Sequence, residues 1–303
     1  MEKIEFLGLP NCYRLSNGEV DAIVTTDAGP RILRYGFEKQ ENILAELPDL
    51  VMETALGTWR PYGGHRLWHS PEQMPRTYAP DNSPIHHVIQ DPYAIRLRQP
   101  VEPQTGIEKE LEISLASSGT ALSILHRLTN RNLWTVELAP WAITIMAGGG
   151  TTILPQEPYR SHDEVLLPAR PFVLWHYTDL SDRRWTVGKK FIRLATAEAA
   201  MEPQKAGILN KQGWSAYSLN DALFVKRFPY VEGATYPDYN CNNETYTAGL
   251  FMEIETLGPL TALKPGDSVE HLERWYLFRD FETGAAETSL EASLRPLIDQ
   301  APL

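Results

Sequence analysis

Residues 107–130, IEKELEISLASSGTALSILHRLTN, indicate the fold class most directly. In the first half, Leu111, Ile113 and Leu115 alternate with two glutamates and a serine. A Ser-Ser-Gly-Thr turn follows, and Leu122 and Ile124 resume the even spacing. An apolar residue at every second position is typical of a β-strand with one buried and one solvent-exposed face. The stretch therefore predicts a β-hairpin.

Similar alternating segments recur along the chain, separated by short Pro/Gly stretches that do not look like linkers. They are residues 19–26, 93–101, 189–197, 221–228, 249–257 and 268–278. We therefore predict a single all-β domain over residues 1–303, built as a large two-sheet β-sandwich with its core at about 15–280. A broad sandwich of this kind can present a ligand groove on one sheet.

One helix is predicted, in a C-terminal tail at 286–300. Thr288 and Glu291 have the spacing of a capping box ahead of Leu290 and Leu294. Pro296 falls in the last turn of this helix, where it weakens the hydrogen bonding.

Composition excludes several classes of function. The chain has 303 residues with 28 Lys+Arg against 39 Asp+Glu, a net charge of −11. This acidic balance argues against binding to nucleic acid or an anionic membrane, both of which need a basic surface. No apolar run approaches a membrane span, and no signal peptide is recognisable. With only two cysteines, we expect a cytoplasmic protein with reduced thiols; its oligomeric state stays open.

The segment GLFMEIETL, residues 249–257, carries the first candidate site. Strand alternation places Phe251, Glu253 and Glu255 on one face, with the two carboxylates about 6.6 Å apart. Like charges at that distance raise each other's proton affinity, which suits general acid–base chemistry. Glu244 lies just upstream. Alternatively, both glutamates face solvent on a half-exposed strand.

The segment PYGGHRLWHSPE, residues 61–72, carries the second. His65 and His69 have the spacing of a helical metal pair, but prolines and glycines surround them and no HExxH motif is present. We therefore expect no zinc site, and an irregular loop or bulge that presents His65, Arg66, Trp68 and His69 at a groove. Each histidine could instead bond only to nearby backbone. His126, His176 and His271 lie in strand-like runs and are expected to be structural, and Trp141, Trp175 and Trp275 to be core residues.

These motifs resemble those of a known superfamily. EIETLGPLTALKPGDSVEHLERWYLF, residues 253–278, resembles the late motif of aldose 1-epimerases (galactose mutarotases). Weaker likenesses are found at 27–37, 62–72 and 126–141, and the whole pattern is similar to a bacterial branch of that superfamily. The resemblance implies a galactose mutarotase-like β-supersandwich and a sugar ligand. It places Glu255 on the catalytic glutamate.

The leading hypothesis is an aldose 1-epimerase-like enzyme that moves protons at a sugar anomeric centre without a metal or organic cofactor. Glu255 is the expected base and His65 the acid, with His69 as the alternate. The residues expected to orient sugar hydroxyls are Glu253, Glu244, Arg31, Arg66 and Trp68. Arg131 stands where an epimerase would have its second histidine, and it would add charge without a proton relay.

Two alternatives remain. A non-catalytic carbohydrate-binding or sensing protein of the same fold is favoured by Arg131. A glycosidase or lyase would need a further carboxylate across the groove, such as Glu244. A weaker expectation is an acidic or phosphorylated sugar, provided that Arg31, Arg66 and either Lys226 or Arg227 converge on the groove.

Overall fold

The computed structural model describes residues 1–284 and 286–303. The first twelve strands are β1 (Glu2–Phe6), β2 (Leu9–Ser16), β3 (Val20–Thr25), β4 (Arg31–Phe37), β5 (Glu46–Leu47), β6 (Met52–Thr54), β7 (Gly57–Trp59), β8 (Tyr62–Ser70), β9 (His86–Asp91), β10 (Ala94–Arg98), β11 (Ile107–Leu115) and β12 (Leu122–Asn130). The other twelve are β13 (Val136–Ala147), β14 (Thr151–Pro155), β15 (Phe172–Leu174), β16 (Trp185–Val187), β17 (Phe191–Ala195), β18 (Gln204–Ile208), β19 (Trp214–Leu219), β20 (Ala222–Arg227), β21 (Asn243–Thr247), β22 (Phe251–Leu257), β23 (Thr261–Leu263) and β24 (Ser268–Phe278). The helices are α1 (Pro237–Asn240), a single turn, and α2 (Glu287–Asp299), and a 3-10 turn spans Arg76–Tyr78.

Two large antiparallel sheets contain nearly all of these strands. The first has the order β1-β2-β3-β4-β8-β13-β22-β21-β18-β15, with β5 paired to β8 and β23 to β13. The second has the order β16-β17-β14-β19-β20-β24-β12-β11-β10-β9, and β6 and β7 form a separate ribbon. The prediction of an all-β, large two-sheet sandwich is confirmed.

The main core lies between the sheets. Tyr35 of β4 packs against Trp275 of β24, with ring centroids 5.7 Å apart. In the predicted hairpin, β11 pairs with β12 from Ile107–Asn130 to Leu115–Leu122, and its apolar residues point into this core. Trp275 is therefore a core residue, as predicted. Apolar and polar residues alternate along β11 because the face of this strand that points away from the core is only partly covered.

The C-terminal helix α2 covers the outer face of the second sheet. Leu290 and Leu294 pack in a cluster with Trp214 of β19. The prediction of a helix here is confirmed, but the predicted capping box is wrong, because Ala286 precedes the helix and no side chain caps it. Instead the Glu287 carboxylate accepts hydrogen bonds from the backbone N–H groups of Lys190 at 2.8 Å and Phe191 at 3.0 Å. Of the described helices, none is long and apolar enough to span a membrane.

Strand β8 lies in the middle of the first sheet, between β4 and β13. The stretch is therefore a central strand and not the predicted irregular loop; irregular backbone of the predicted kind is limited to its start, where Tyr62, Gly63 and Gly64 have positive φ angles. Gly63 and Gly64 have φ angles of +85° and +66°, and a Cβ at these positions would lie 2.0 and 2.1 Å from the carbonyl oxygens of Ala45 and Ile32. Only glycine permits this approach. The strand then continues to Ser70 with almost every residue buried.

Candidate functional site

A cavity of about 370 Å³ lies on the outer face of the first sheet. Its floor is built from side chains that project from adjacent strands β8, β13, β22, β21 and β18. The antiparallel register sets Ile143 between Arg66 and Glu255. Glu244 is the partner of Glu255 on the other side. Charged side chains from four strands, β8, β22, β21 and β18, thereby meet on one surface.

Aromatic side chains form much of the cavity wall. Trp59 and Trp68 lie with ring centroids 5.3 Å apart, and Trp68 and Trp141 are 5.5 Å apart. Trp175 and Tyr177, from the segment after β15, also line the cavity. Trp141 is a core residue, as predicted, that also forms part of the cavity wall; the core prediction is wrong for Trp175, which is only partly buried. An aromatic lining of this kind offers flat apolar faces to a ligand.

Arg66 and Glu253 form one charged pair at the cavity surface. Arg66 Nη2 lies 3.3 Å from Glu253 Oε1, and the guanidinium carbon lies 4.5 Å from the ring centroid of Trp68. Burial raises the pKa of Glu253 to about 7, and Arg66 opposes that rise. A carboxyl pKa raised toward neutral pH suits a group that gives and takes protons.

Lys205 forms a second charged group with two glutamates. Its Nζ lies 2.8 Å from Glu255 Oε2 and 3.0 Å from Glu244 Oε2. Burial alone would lower the pKa of Lys205, but the two carboxylates outweigh burial and hold it well above its ordinary value. Burial raises the pKa of Glu244 well above the usual range against the influence of Lys205. One ammonium group thus faces two buried carboxyl groups, and burial favours the protonated form of Glu244.

Glu255 lies beneath the cavity and is completely buried. Its Oε2 accepts hydrogen bonds from Trp141 Nε1 at 2.8 Å and Lys205 Nζ at 2.8 Å. Its Oε1 has no hydrogen-bond partner among the described residues. Glu244 is equally buried. Of the three expected glutamates, only Glu253 lines the cavity.

His65 and His69 lie on the opposite face of β8 from Arg66 and Trp68. His65 Nε2 is 2.7 Å from His126 Nε2 in the second sheet, and His69 Nε2 is 3.6 Å from Glu102. Alternation along β8 sends odd-numbered side chains between the sheets and even-numbered ones to the cavity. This corrects the expectation that His65, or His69 as its alternate, shares a hollow with Glu255.

His65 belongs instead to a buried polar cluster between the sheets. Its ring, His126 and Glu273 have ligand atoms within 4.8 Å of one another, close enough to hold a metal ion. However, Lys226 Nζ already lies 2.9 Å from Glu273 Oε1. His126 Nδ1 donates to the carbonyl of His271 at 2.8 Å, so a neutral His126 accepts at Nε2 from His65. The ligand atoms are thus used internally, and the cluster is best explained as structural.

The expected arginine residues do not converge on the cavity. Arg31 is fully buried and binds Asp81 Oδ1 at 2.5 Å, and Asp81 also accepts from Trp59 Nε1 at 3.1 Å. Arg31 thus supports the aromatic wall from behind. Arg131 pairs with Glu108 at 2.8 Å in the second sheet, away from the cavity.

The remaining expected cations also lie elsewhere. Lys226 is buried in the cluster between the sheets, and Arg227 does not line the cavity. Of the four cations proposed to bind an acidic group, only Arg66 is at the cavity, and it is already paired. The expectation of an acidic or phosphorylated sugar therefore loses its basis.

Lys205 is the site residue that the sequence did not predict. It lies in β18, a five-residue strand in which every residue is buried. A strand covered on both faces has no alternation of apolar and polar residues. The local signal is a lysine in the short mixed segment QKAGI, which by itself predicts nothing specific.

Comparison with known proteins gives the class of the fold. No protein-family model matches the chain, and no curated protein matches it in sequence. Among solved structures, a galactose mutarotase-like protein from Lactobacillus casei is 10% identical, with a TM-score of 0.57 over 88% of this chain and 100% of that one. Another, from Clostridium acetobutylicum, is 12% identical, with a TM-score of 0.57 over 92% and 98%.

A galactose mutarotase related enzyme from Lactobacillus acidophilus is 8% identical, with a TM-score of 0.53 over 89% of this chain and 98% of that one. At such low identity these likenesses show the fold alone. The chain therefore has the galactose mutarotase-like β-sandwich fold, as the sequence resemblance implied.

Proposed function

We propose that the cavity on the first sheet binds a sugar and that the protein moves protons at the anomeric centre of that sugar. The observation that carries this proposal is the placement of Glu253, a carboxyl with a pKa of about 7, in an aromatic-lined cavity of about 370 Å³. That volume is within the range of small-molecule sites. Aromatic faces suit the C–H face of a pyranose, and Tyr177, which is 43% exposed, is the most accessible of the aromatic residues that line the cavity.

Mutarotation needs a base for the anomeric hydroxyl proton and an acid for the ring oxygen. Glu253 is the cavity-lining group able to exchange a proton near neutral pH. Glu255, assigned as the base by resemblance, lies below the surface and is covered by Lys205 and Trp141. We therefore assign to Glu253 the role of base toward the anomeric hydroxyl, with water in the cavity as the acid that protonates the ring oxygen, and to Glu255 the support of Lys205.

The expected ligand is a neutral sugar. Arg66 is paired with Glu253, and Lys205 is paired with Glu255 and Glu244. Both cations are already neutralised by carboxyl groups, so a phosphate or carboxylate would meet no unpaired positive charge among the described residues that line the cavity.

The direct test is anomer exchange measured by NMR with a panel of neutral aldoses, including galactose and glucose. Glu253→Gln should reduce the exchange rate by about 100-fold or more, since general acid–base catalysis contributes about that much. Sugar binding measured by calorimetry should persist. Glu108→Gln, which alters a carboxylate outside the cavity, is the matched control and should keep the wild-type rate. Equal rates for wild type, Glu253→Gln and buffer would contradict the enzymatic assignment.

A second candidate is a carbohydrate-binding protein without turnover. The observation that favours it is that no histidine is among the described residues that line the cavity. Saturable sugar binding with no acceleration of anomer exchange would select this alternative. A glycosidase has no support from Glu244, which neighbours Glu255 on the adjacent strand and does not lie across the cavity.

A further inference from the structure

We propose that Lys205 is the residue that donates a hydrogen bond to an oxygen of the bound sugar, while it fixes Glu255 in place. This inference rests on the proposed function, because it assigns a role toward the same ligand in the same cavity. Lys205 would then be a second cationic hydrogen-bond donor in the cavity, in addition to Arg66.

The hydrogen-bonding capacity of the ammonium group supports this role. A lysine ammonium has three N–H donors and no acceptor. One donor is used by Glu255 Oε2 at 2.8 Å, whereas Glu244 Oε2 lies 3.0 Å away in an ion-pair contact that is not a hydrogen bond. No further acceptor for Lys205 Nζ is found among the described residues, and the side chain lines the cavity. At least one N–H therefore remains for a ligand.

Aromatic rings hold the ammonium group in position. Nζ lies 4.9 Å from the ring centroid of Trp141 and 4.7 Å from that of Trp175. Both distances are within the range of cation–π attraction. With two carboxylates and two rings around it, the ammonium group has little freedom to move away from the cavity.

The sheet register places Lys205 near the proposed proton-transfer group. Lys205 is paired with Tyr246 of β21, and Tyr246 is paired with Glu253 of β22. Two residues further along β18, Gly207 leaves room for Glu244, because a Cβ there would lie 3.2 Å from Glu244 Cγ. A sugar that contacts Glu253 is thus within one strand spacing of Tyr246 and two of Lys205, about 10 Å, the width of a small ligand.

The role of Lys205 is that of a donor and not of an acid. Glu244 and Glu255 hold the lysine pKa well above its ordinary value, so the group stays charged throughout the working pH range. It can orient a sugar oxygen and stabilise negative charge on it, while Glu253 exchanges the proton.

The experiment is calorimetric titration of wild type, Lys205→Met and Lys109→Met with the neutral aldose panel. Lys109 is the matched control: it is also a buried lysine, 2.5 Å from Glu102, but it lies in β11 away from the cavity. Lys205→Met should weaken sugar binding by at least about tenfold, the value of one charge-assisted hydrogen bond. Folded Lys109→Met should keep the wild-type Kd.

Two further variants distinguish a loss of sugar affinity from a loss of folding. Lys205→Met combined with Glu255→Gln removes the cation together with the carboxylate that it hydrogen-bonds, and it should restore folding without restoring affinity. In Lys205→Ala, added ethylammonium should fill the vacated space and recover most of the lost affinity. A folded Lys205 variant with the wild-type Kd would overturn the inference alone. Absence of sugar binding by the wild type would instead overturn the proposed function, and the inference with it.

Discussion

At the scale of single residues, the ionisation of Glu253 is set by two opposing influences. Burial raises its pKa to about 7, and the guanidinium of Arg66, 3.3 Å away, works in the opposite direction. Arg66 is itself held against Trp68 and Trp59. The position of one arginine on an aromatic surface therefore decides how much of Glu253 is ionised at neutral pH.

We predict that Arg66→Met moves the pH dependence of anomer exchange upward. If ionised Glu253 is the base, the wild-type rate should rise as pH increases through about 7. Without Arg66 the carboxylate loses its stabilising charge, and the midpoint should rise by about one pH unit. Exchange rates measured by NMR from pH 5 to 9 give the midpoint. Arg131→Met, which removes an exposed arginine outside the cavity, should leave it unchanged; an equal shift in both variants would contradict the assignment.

At the scale of elements, strand β8 shows what the sequence could and could not predict. The hairpin of β11 and β12 was predicted correctly because one face of β11 is only partly covered, so its apolar residues alternate visibly. Strand β8 is covered on both faces. Its sequence therefore mixes polar and apolar residues without a period, and such a pattern indicates a loop more than a strand.

The same loss of pattern explains the misplaced site residues. Without a period, sequence could not tell that His65 and Arg66 project to opposite faces of one strand. Glu253 and Glu255 were easier to place, because Leu250, Met252 and Ile254 alternate with them. Lys205 reaches Glu255 only through pairing of β18 with β21 and β22, and no local pattern encodes which distant strands become neighbours.

We predict that Gly64→Ala destabilises the protein by about 3 kcal/mol or more. A positive φ costs a non-glycine residue about 1–2 kcal/mol, and the new Cβ would meet Ile32 O at 2.1 Å, which forces a further backbone shift. Gly119→Ala is the matched control, since Gly119 has a φ of +73° with nothing within 4 Å. It should cost only about 1 kcal/mol. Urea denaturation measures both, and equal losses would refute the close approach of β4 and β8.

At the scale of the whole molecule, the first sheet separates two buried charged networks of opposite character. Between the sheets, burial lowers the pKa of His65 and His126, and that of His271 to about 3. On the outer face, burial raises the pKa of Glu253 and Glu244. In the folded protein, the histidines between the sheets therefore bind protons less readily than usual, and the carboxyl groups on the outer face bind them more readily than usual.

These two networks have opposite effects on stability as pH falls. Below about pH 6.5 the unfolded chain protonates its histidines and the folded protein does not, so each buried imidazole reduces the free energy of unfolding on acidification. Between about pH 7 and 4.5, folded Glu253 binds a proton that the unfolded chain does not, so acidification stabilises the fold through this group. His69, buried with a lowered pKa, adds to the first effect, and Asp238, with a raised pKa, adds to the second.

We therefore predict that two single substitutions change the pH dependence of stability in opposite directions. Between pH 6 and 5, His271→Gln should gain about 1.4 kcal/mol of stability relative to wild type per unit of acidification, because one depressed imidazole is gone. Glu253→Gln should lose about the same amount, because the raised carboxyl is gone. Urea denaturation at half-unit pH steps measures both differences. If the free energy of unfolding changed with pH in the same way for all three proteins, neither pKa would be shifted by folding. If both variants departed from wild type in the same direction, the first sheet would not separate two networks of opposite effect.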